Sequence, residues 1–167
     1  IKNDKRWIGD LLGGSLMVRE SRTIAELLLS EPDKTTWQQQ IINENILQAS
    51  STSTANRYAR TLRLRLMTLD RECWKLIADG SESERLQMLL VALMLQSPIV
   101  AEFVADVVNP ARQQFKEKLG MNCWSEFVDE NLRLHPELAA FSDSSIQKMG
   151  NNLIKALAEA GSLDSPR

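Results

Sequence analysis

Apolar residues recur at helical spacing along most of this chain, and no stretch alternates convincingly at the period of two that a half-buried strand requires. From Ser53 to Arg71, five apolar side chains fall on one stripe of a helix with 3.6 residues per turn. They are Ala55, Ala59, Leu62, Leu66 and Leu69. The periodicity predicts an all-α protein, a compact globular bundle of about eight or nine helices joined by short turns.

Capping residues and helix breakers set the expected helix boundaries. A Ser or Thr followed three residues later by Glu or Gln matches a capping box at two places, and a cap followed by proline matches a helix start at two more. These signals are Thr36 with Gln39, Ser81 with Glu84, Ser97-Pro98 and Asn109-Pro110. The predicted helices cover 16–29, 37–47, 53–71, 72–78, 82–96, the segment after 97, 110–120, 122–134 and 143–160.

Length and composition bound the architecture. With 167 residues, 43% of them hydrophobic and 25% charged, the chain can bury a proper core. We expect an N-terminal helical region over 1–80 and a C-terminal helical region over 81–167, packed as one globular unit. The absence of a sustained heptad seam in the sequence predicts a monomer.

The sequence also predicts a cytoplasmic protein without contact to a membrane. Its longest apolar run, Met88 to Leu95, is far shorter than the ~20 residues that a bilayer span needs. The beginning of the chain has neither the apolar segment nor the small-residue cleavage site of a signal peptide. Cys73 and Cys123 fit small buried side chains better than a disulfide.

Charge is distributed unevenly, although the net charge is only −2. Between residues 51 and 75 there are six basic and two acidic residues, whereas between 76 and 110 there are one basic and five acidic residues. The low net charge excludes proteins that coat nucleic acid by bulk charge, so any contact with DNA has to come from a local patch. The region 51–75 is the first candidate for such a patch.

The basic region follows another helical segment after a short polar run, which predicts a helix-turn-helix over 37–69 with its second helix in the DNA major groove. Its arginines would neutralise phosphates, and polar residues near its N-terminus would face bases or phosphates. The candidate DNA-binding residues are Ser53, Thr54, Asn56, Arg57, Arg60, Arg63 and Arg65, with Ser53 or Thr54 as the N-cap. A merely solvated helix face is the alternative.

A second polar stripe lies on the last predicted helix, opposite its apolar face. With the preceding helix it predicts a second helix-turn-helix candidate over 122–160, although the connecting loop of about seven residues is long for this motif. The stripe contains Ser144, Gln147, Lys148, Asn151 and Lys155. Lys5 and Arg6, in a short basic N-terminal arm, would extend the footprint on DNA. An ordinary amphipathic helix packed on the core is the alternative.

Arginine and lysine dominate these surfaces and chiefly position a protein on the DNA backbone, so we expect low sequence specificity. Asn56 and Asn151 are the candidates to contact adenine. No catalytic, metal or cofactor site is predicted, because the single histidine, His135, precedes a proline in a turn and the two cysteines have no companions at zinc-ligand spacing. The residues therefore favour a non-enzymatic protein, and they leave open whether its basic helix binds DNA or is a solvated face.

Two blocks of the sequence match the pattern of a known family. The first is the run WIGDLLGGSL at 7–16, continued at 19–21 and 24–27. The second consists of Trp37, residues 45–48, residues 53–55 with Arg57, and residues 63–66. With these blocks the chain resembles the A component of the bacteriophage exclusion (BREX) defence systems of bacteria. The similarity covers the whole chain and rests on extended pattern, since none of these motifs is a catalytic signature.

The resemblance implies a small all-helical cytoplasmic protein, partly similar to the NusB fold. It further implies a non-enzymatic member of a multi-protein system in which a methyltransferase marks host DNA and unmarked phage DNA is blocked. Double-stranded DNA, through helix-turn-helix elements, and other BREX proteins are the partners implied. A second hypothesis is an assembly module that docks onto the defence complex through the arginine helix or the acidic stretch 79–106, with incidental DNA contact.

Overall fold

The computed structural model describes residues 6–163, which fold into α-helices connected by short turns. The helices are α1 (Val18–Leu29), α2 (Lys34–Gln38), α3 (Thr52–Leu66), α4 (Arg71–Asp79), α5 (Glu82–Gln96), α6 (Pro98–Phe103), α7 (Asn109–Gln113), α8 (Cys123–Asn131) and α9 (Asp143–Glu159). A π turn, Gln39–Asn43, continues α2, another, Val104–Val108, joins α6 to α7, and 3₁₀ turns cover Leu11–Gly13 and Pro136–Ala140. The described range contains no strand, so the predicted all-α fold is confirmed.

Side-chain caps begin several of these helices. The predicted capping box at Ser81 is present at the start of α5. Two other predicted caps are displaced: α2 begins after Asp33, before the predicted position, and α3 begins after Ser51 rather than after Ser53 or Thr54. Asp33 and Ser51 have extended backbones, and their side-chain oxygens accept the N–H three residues later, at 2.7 Å and 3.2 Å.

Two predicted helix ends are wrong by five residues or more. The helix expected over 53–71 ends at Leu66, whose carbonyl accepts from the indole N–H of Trp74 at 2.7 Å, and Asp70 then caps α4 as a new helix. The helix expected to end at Gly120 ends earlier, with α7. Pro110 does not open a separate helix, because the π turn before it continues α6 into α7. The wider π turn accommodates the proline nitrogen, which cannot donate a hydrogen bond.

The segment before α1 lies in the interior and connects helices from both halves of the chain. Its buried apolar side chains are Trp7, Ile8, Leu11 and Leu16. The carbonyl of Trp7 accepts from the backbone of α6 at 2.9 Å, and that of Leu11 accepts from the Asn152 side chain of α9 at 2.9 Å. The Thr61 hydroxyl of α3 donates to Asp10 at 2.6 Å. Residues 7–16 therefore hold α3, α6 and α9 together.

Gly150 lies in the middle of α9 and allows a close contact with α8. A Cβ at this position would overlap the indole ring of Trp124. We expect Gly150→Ala to lower the free energy of unfolding by about 1–2 kcal/mol, because overpacking costs about 1–3 kcal/mol and exceeds the gain of up to about 1 kcal/mol in helix propensity.

Urea unfolding measures this change, with Gly120→Ala as the control, since a Cβ at Gly120 meets no atom within 4 Å. The control is expected to shift the free energy of unfolding by less than about 0.5 kcal/mol. A Gly150→Ala variant as stable as the wild type would contradict the close packing of α9 on Trp124.

No single helix within the described range is long and apolar enough to cross a membrane. Helix α5 and the continuous helix over 98–113 are long and apolar enough for a membrane span only when they are taken together. They are bent by 108° at their junction. Both contribute to the core. Their buried apolar residues are Leu89, Ala92, Leu93, Ile99, Val100, Phe103 and Val108.

Candidate nucleic-acid interface

The outward face of α3 carries the polar and basic side chains that the sequence pattern places there. Asn56, Arg57, Arg60 and Arg63 are exposed, and so is Ser53 in the first turn. At 3.6 residues per turn these five positions fall within about 120° of one another, while the apolar stripe of α3 faces the core. The face presents three cations, one amide and one hydroxyl to solvent.

Thr54, also predicted to contact DNA, is half-buried. Its backbone N–H donates to the hydroxyl oxygen of Ser51 at 3.2 Å, and the Ser51 hydroxyl donates to that of Thr54 at 2.9 Å. The Thr54 side chain therefore belongs to the cap of α3, and Ser53 is the more exposed of the two predicted hydroxyl groups.

A groove of about 440 Å³ lies beside this face, with α2 contributing Trp37 to its wall. The guanidinium of Arg63 lies 5.1 Å from the centroid of the Trp37 ring, a cation–π distance that holds the arginine against the groove. Leu64 and Met67, 46% and 56% exposed, form its apolar part. Trp37 was not predicted as an interface residue. The sequence signal that could have identified it is a tryptophan in the helix directly before a basic helix.

Arg65 does not belong with the other predicted DNA-binding residues of α3, because its side chain is buried and does not lie on the exposed face. The residue is only 2% exposed, and its guanidinium donates to the carbonyl oxygens of Ser15 and, at 2.7 Å, of Gly14. Its position on the helix lies between those of Leu62 and Thr61, which both face the core. The segment before α1 therefore covers the side chain, and phosphate cannot reach it.

Burial also changes the acid–base behaviour of Arg65. Desolvation lowers the pKa of this guanidinium to about 10, against the opposing effect of the carboxylates of Asp10 and Glu159. The side chain is still protonated at neutral pH. Arg65 is therefore a cationic tie between α3 and the preceding segment, and both of its terminal nitrogens donate to carbonyl oxygens of that segment.

The connection from the π turn to α3 is longer than the predicted turn. It spans 44–51, whereas a compact helix-turn-helix uses three or four residues. The side chain of Asn45 accepts from the backbone N–H of Ala49 at 2.9 Å and donates to its carbonyl at 3.0 Å. Asn45 and Gln48 have left-handed φ angles of 47° and 53°. Helix, turn and basic helix follow in the predicted order, with an ordered loop as the turn.

The polar stripe on α9 is exposed as well. Its residues are Ser144, Gln147, Lys148, Asn151 and Lys155. The connection from α8 to α9 spans 132–142 and includes the 3₁₀ turn Pro136–Ala140, so the predicted second helix-turn-helix over 122–160 has a longer and more structured connection than expected. This stripe carries two cations, compared with three on α3.

The structure describes one of the two predicted residues of the basic N-terminal arm. Arg6 is exposed at the beginning of the described range, and Lys5 lies outside the described residues. The next side chain, Trp7, is buried and stacks on His135 with ring centroids 3.5 Å apart. Of the two predicted arm residues, the structure therefore places only Arg6, at the edge of the folded core.

Metal-ligating side chains and the two cysteines are further candidates for a chemical site in the described part of the chain. Over residues 6–163 no group of three His, Cys, Asp or Glu side chains is arranged to hold a metal ion. A hydrogen bond with Asp70 raises the pKa of the Cys73 thiol, and burial raises that of Cys123. Both shifts favour the neutral thiol, which is the less reactive form.

Comparison with known proteins gives two relatives that share a name. A BREX protein BrxA of Escherichia coli O9:H4 (strain HS) is 69% identical over 167 residues, which are 100% of this chain and 78% of the relative. A BREX protein BrxA of Paramagnetospirillum magneticum (strain ATCC 700264 / AMB-1) is 31% identical over 158 residues, which are 95% of this chain and 79% of the relative.

A solved structure has the same fold. It is the crystal structure of an uncharacterized protein from Magnetospirillum magneticum, with a TM-score of 0.84 and 29% sequence identity over 93% of this chain and 80% of that chain. The model of the BrxA family matches residues 5–167. With that match and with relatives at 69% and 31% identity over nearly all of its length, the chain belongs to the BrxA family.

Proposed function

We propose that this chain is a non-enzymatic component of a BREX phage-defence system and that it binds double-stranded DNA. Membership of the BrxA family supports its place in a BREX system. The exposed face of α3 is the observation that supports DNA binding, since it presents Arg57, Arg60 and Arg63 next to Asn56. A local cationic helix face on a chain of slightly negative net charge is typical of a confined phosphate-binding surface.

In this proposal α3 lies in or across the major groove. Arg57 and Arg60 contact phosphates, and Arg63, held against Trp37, contacts the backbone at the side of the groove. Asn56 is the one amide on this face and can donate to and accept from an adenine edge. Because backbone contacts outnumber base contacts, sequence specificity is low. The α9 stripe, with Asn151, and Arg6 extend the footprint.

Docking to another BREX protein through the same face is the second candidate function. The observation that favours it is the exposure of Leu64 and Met67 beside the arginines, since a protein partner would bury such side chains and DNA gains less from them. Other BREX proteins are the partners that family membership suggests. We further propose a monomer that acts in the cytoplasm.

The salt dependence of DNA binding tests the proposal. We expect the fluorescence anisotropy of a labelled duplex to report binding whose log K falls with log salt at a slope of about −3 to −4.5, because three to five phosphates are neutralised by α3 and the α9 stripe. A slope near zero, or no binding, would contradict DNA recognition. A BREX partner that co-purifies after nuclease treatment would then make docking the main function.

A further inference from the structure

A second groove, of about 320 Å³, lies between the continuous helix over 98–113 and α8. Val107, Leu119 and Phe127 contribute apolar surface to it. Its carboxylates are Asp106, Glu126 and Glu130, and its single cation is Lys116. The three carboxylates are exposed, and no ion pair joins them to another described residue. We call this surface the acidic groove.

The connector 114–122, which lines one side of the acidic groove, carries two apolar side chains in full contact with water. Phe115 is 93% exposed and Met121 is 99% exposed. Large exposed apolar side chains beside a groove are typical of a surface that a partner covers. Neither side chain lines the groove itself, but both neighbour lining residues of the connector and so offer apolar surface next to it.

Phe115 also occupies a backbone position that favours glycine. Its N–H donates to the carbonyl of Arg112 at 2.9 Å, and the N–H of Lys116 donates to that of Ala111 at 3.0 Å, which is the hydrogen-bond pattern of a Schellman motif at the end of α7. Phe115 has the left-handed φ of 54° that this motif requires and that a side chain disfavours. Local stability therefore does not account for a phenylalanine here.

We propose that the acidic groove binds a cationic amphipathic segment of a partner protein. The apolar side chains of that segment contact the floor together with Phe115 and Met121, and its lysines or arginines pair with Asp106, Glu126 and Glu130. Charge selects this occupant, because three unpaired carboxylates repel nucleic acid and anionic lipid. The site shares no residue with the α3 face, so its occupation is compatible with DNA binding there.

A pair of synthetic peptides tests the proposal on the full chain. One is a labelled helix-forming peptide with leucines on one face and lysines on the other, and the second has the same composition with scattered leucines. We expect the first to bind more tightly, and Glu126→Gln/Glu130→Gln to weaken it by about tenfold through the loss of two ion pairs. The matched control, Asp79→Asn/Glu82→Gln, removes two exposed carboxylates outside the groove and is expected to leave binding unchanged.

Phe115→Gly separates binding from folding. This variant is expected to weaken the peptide complex several-fold while its urea midpoint stays the same or rises, since glycine suits the left-handed position. Equal binding of both peptides, equal effects of the two double variants, or no binding by the wild type would overturn the proposal. Binding of phosphatidylcholine vesicles that Phe115→Gly abolishes would overturn it in favour of a lipid surface. Duplex binding, measured on the same variants, should not change.

Discussion

Arg65→Ala is expected to lower the free energy of unfolding by about 3–5 kcal/mol, the largest effect of any arginine on α3. The change leaves the carbonyl oxygens of Gly14 and Ser15 without their donor, and each buried unpaired acceptor costs about 1–3 kcal/mol. It also removes the cation near Asp10 and Glu159 and the packing of a long side chain. The attachment of the segment before α1 to α3 would be lost.

Urea unfolding at neutral pH measures this effect. Arg65→Lys is expected to fall between the wild type and Arg65→Ala, because an ammonium keeps the charge but cannot form both hydrogen bonds in the same geometry. Arg60→Ala is the matched control, an exposed arginine of the same helix, with an expected change below about 0.5 kcal/mol. A stable Arg65→Ala variant with reduced affinity for DNA would contradict the structural role of Arg65.

The reversal of two charges on the α3 face is expected to weaken duplex binding by roughly 100-fold at moderate salt. Arg57→Glu/Arg60→Glu removes two phosphate contacts and places two anions against the DNA backbone. Both side chains are exposed, so the fold and the unfolding midpoint should be retained. Anisotropy titration of a labelled duplex measures the loss.

The matched control for this variant is Lys118→Glu/Arg133→Glu. Both residues are exposed, lie outside α3 and α9, and form no ion pair with another described residue. It changes the net charge by the same amount, and we expect its affinity for DNA to fall only a few-fold. Equal losses of affinity in the two variants would mean that duplex binding depends on the total charge of the protein and not on the α3 face.

The exposed face of α3 could be predicted from the sequence because helical periodicity alone separates Arg57 and Arg60 from the apolar stripe. Arg65 could not be placed in the same way. Its position flanks the stripe, and whether such a side chain reaches water depends on which segment packs beside it. Here the carbonyls of Gly14 and Ser15, fifty residues away in the chain, surround the guanidinium.

Helix boundaries show the same limit. The capping box at Ser81 is local in sequence and was predicted correctly, whereas Pro110 looked like a helix start and is accommodated by a π turn inside a continuous helix. Gly120 looked like a helix stop, yet the helix ends at Gln113, just before the left-handed Phe115. Trp37 contacts Arg63 only because the connector 44–51 folds α2 back onto α3. Tertiary packing decides the contact of Trp37 with Arg63, whereas the residue types gave no signal for the π turn at Pro110 or for the left-handed Phe115.

The most direct test of DNA recognition by α3 compares salt slopes. Duplex affinity is measured against salt concentration for the wild type, for Arg57→Gln/Arg60→Gln, and for Lys118→Gln/Arg133→Gln as the control. If α3 holds the phosphates, the slope of the α3 variant is less negative by about 2, while the control line runs parallel to the wild type. Parallel lines for all three proteins would contradict the assignment of the DNA-binding surface to α3.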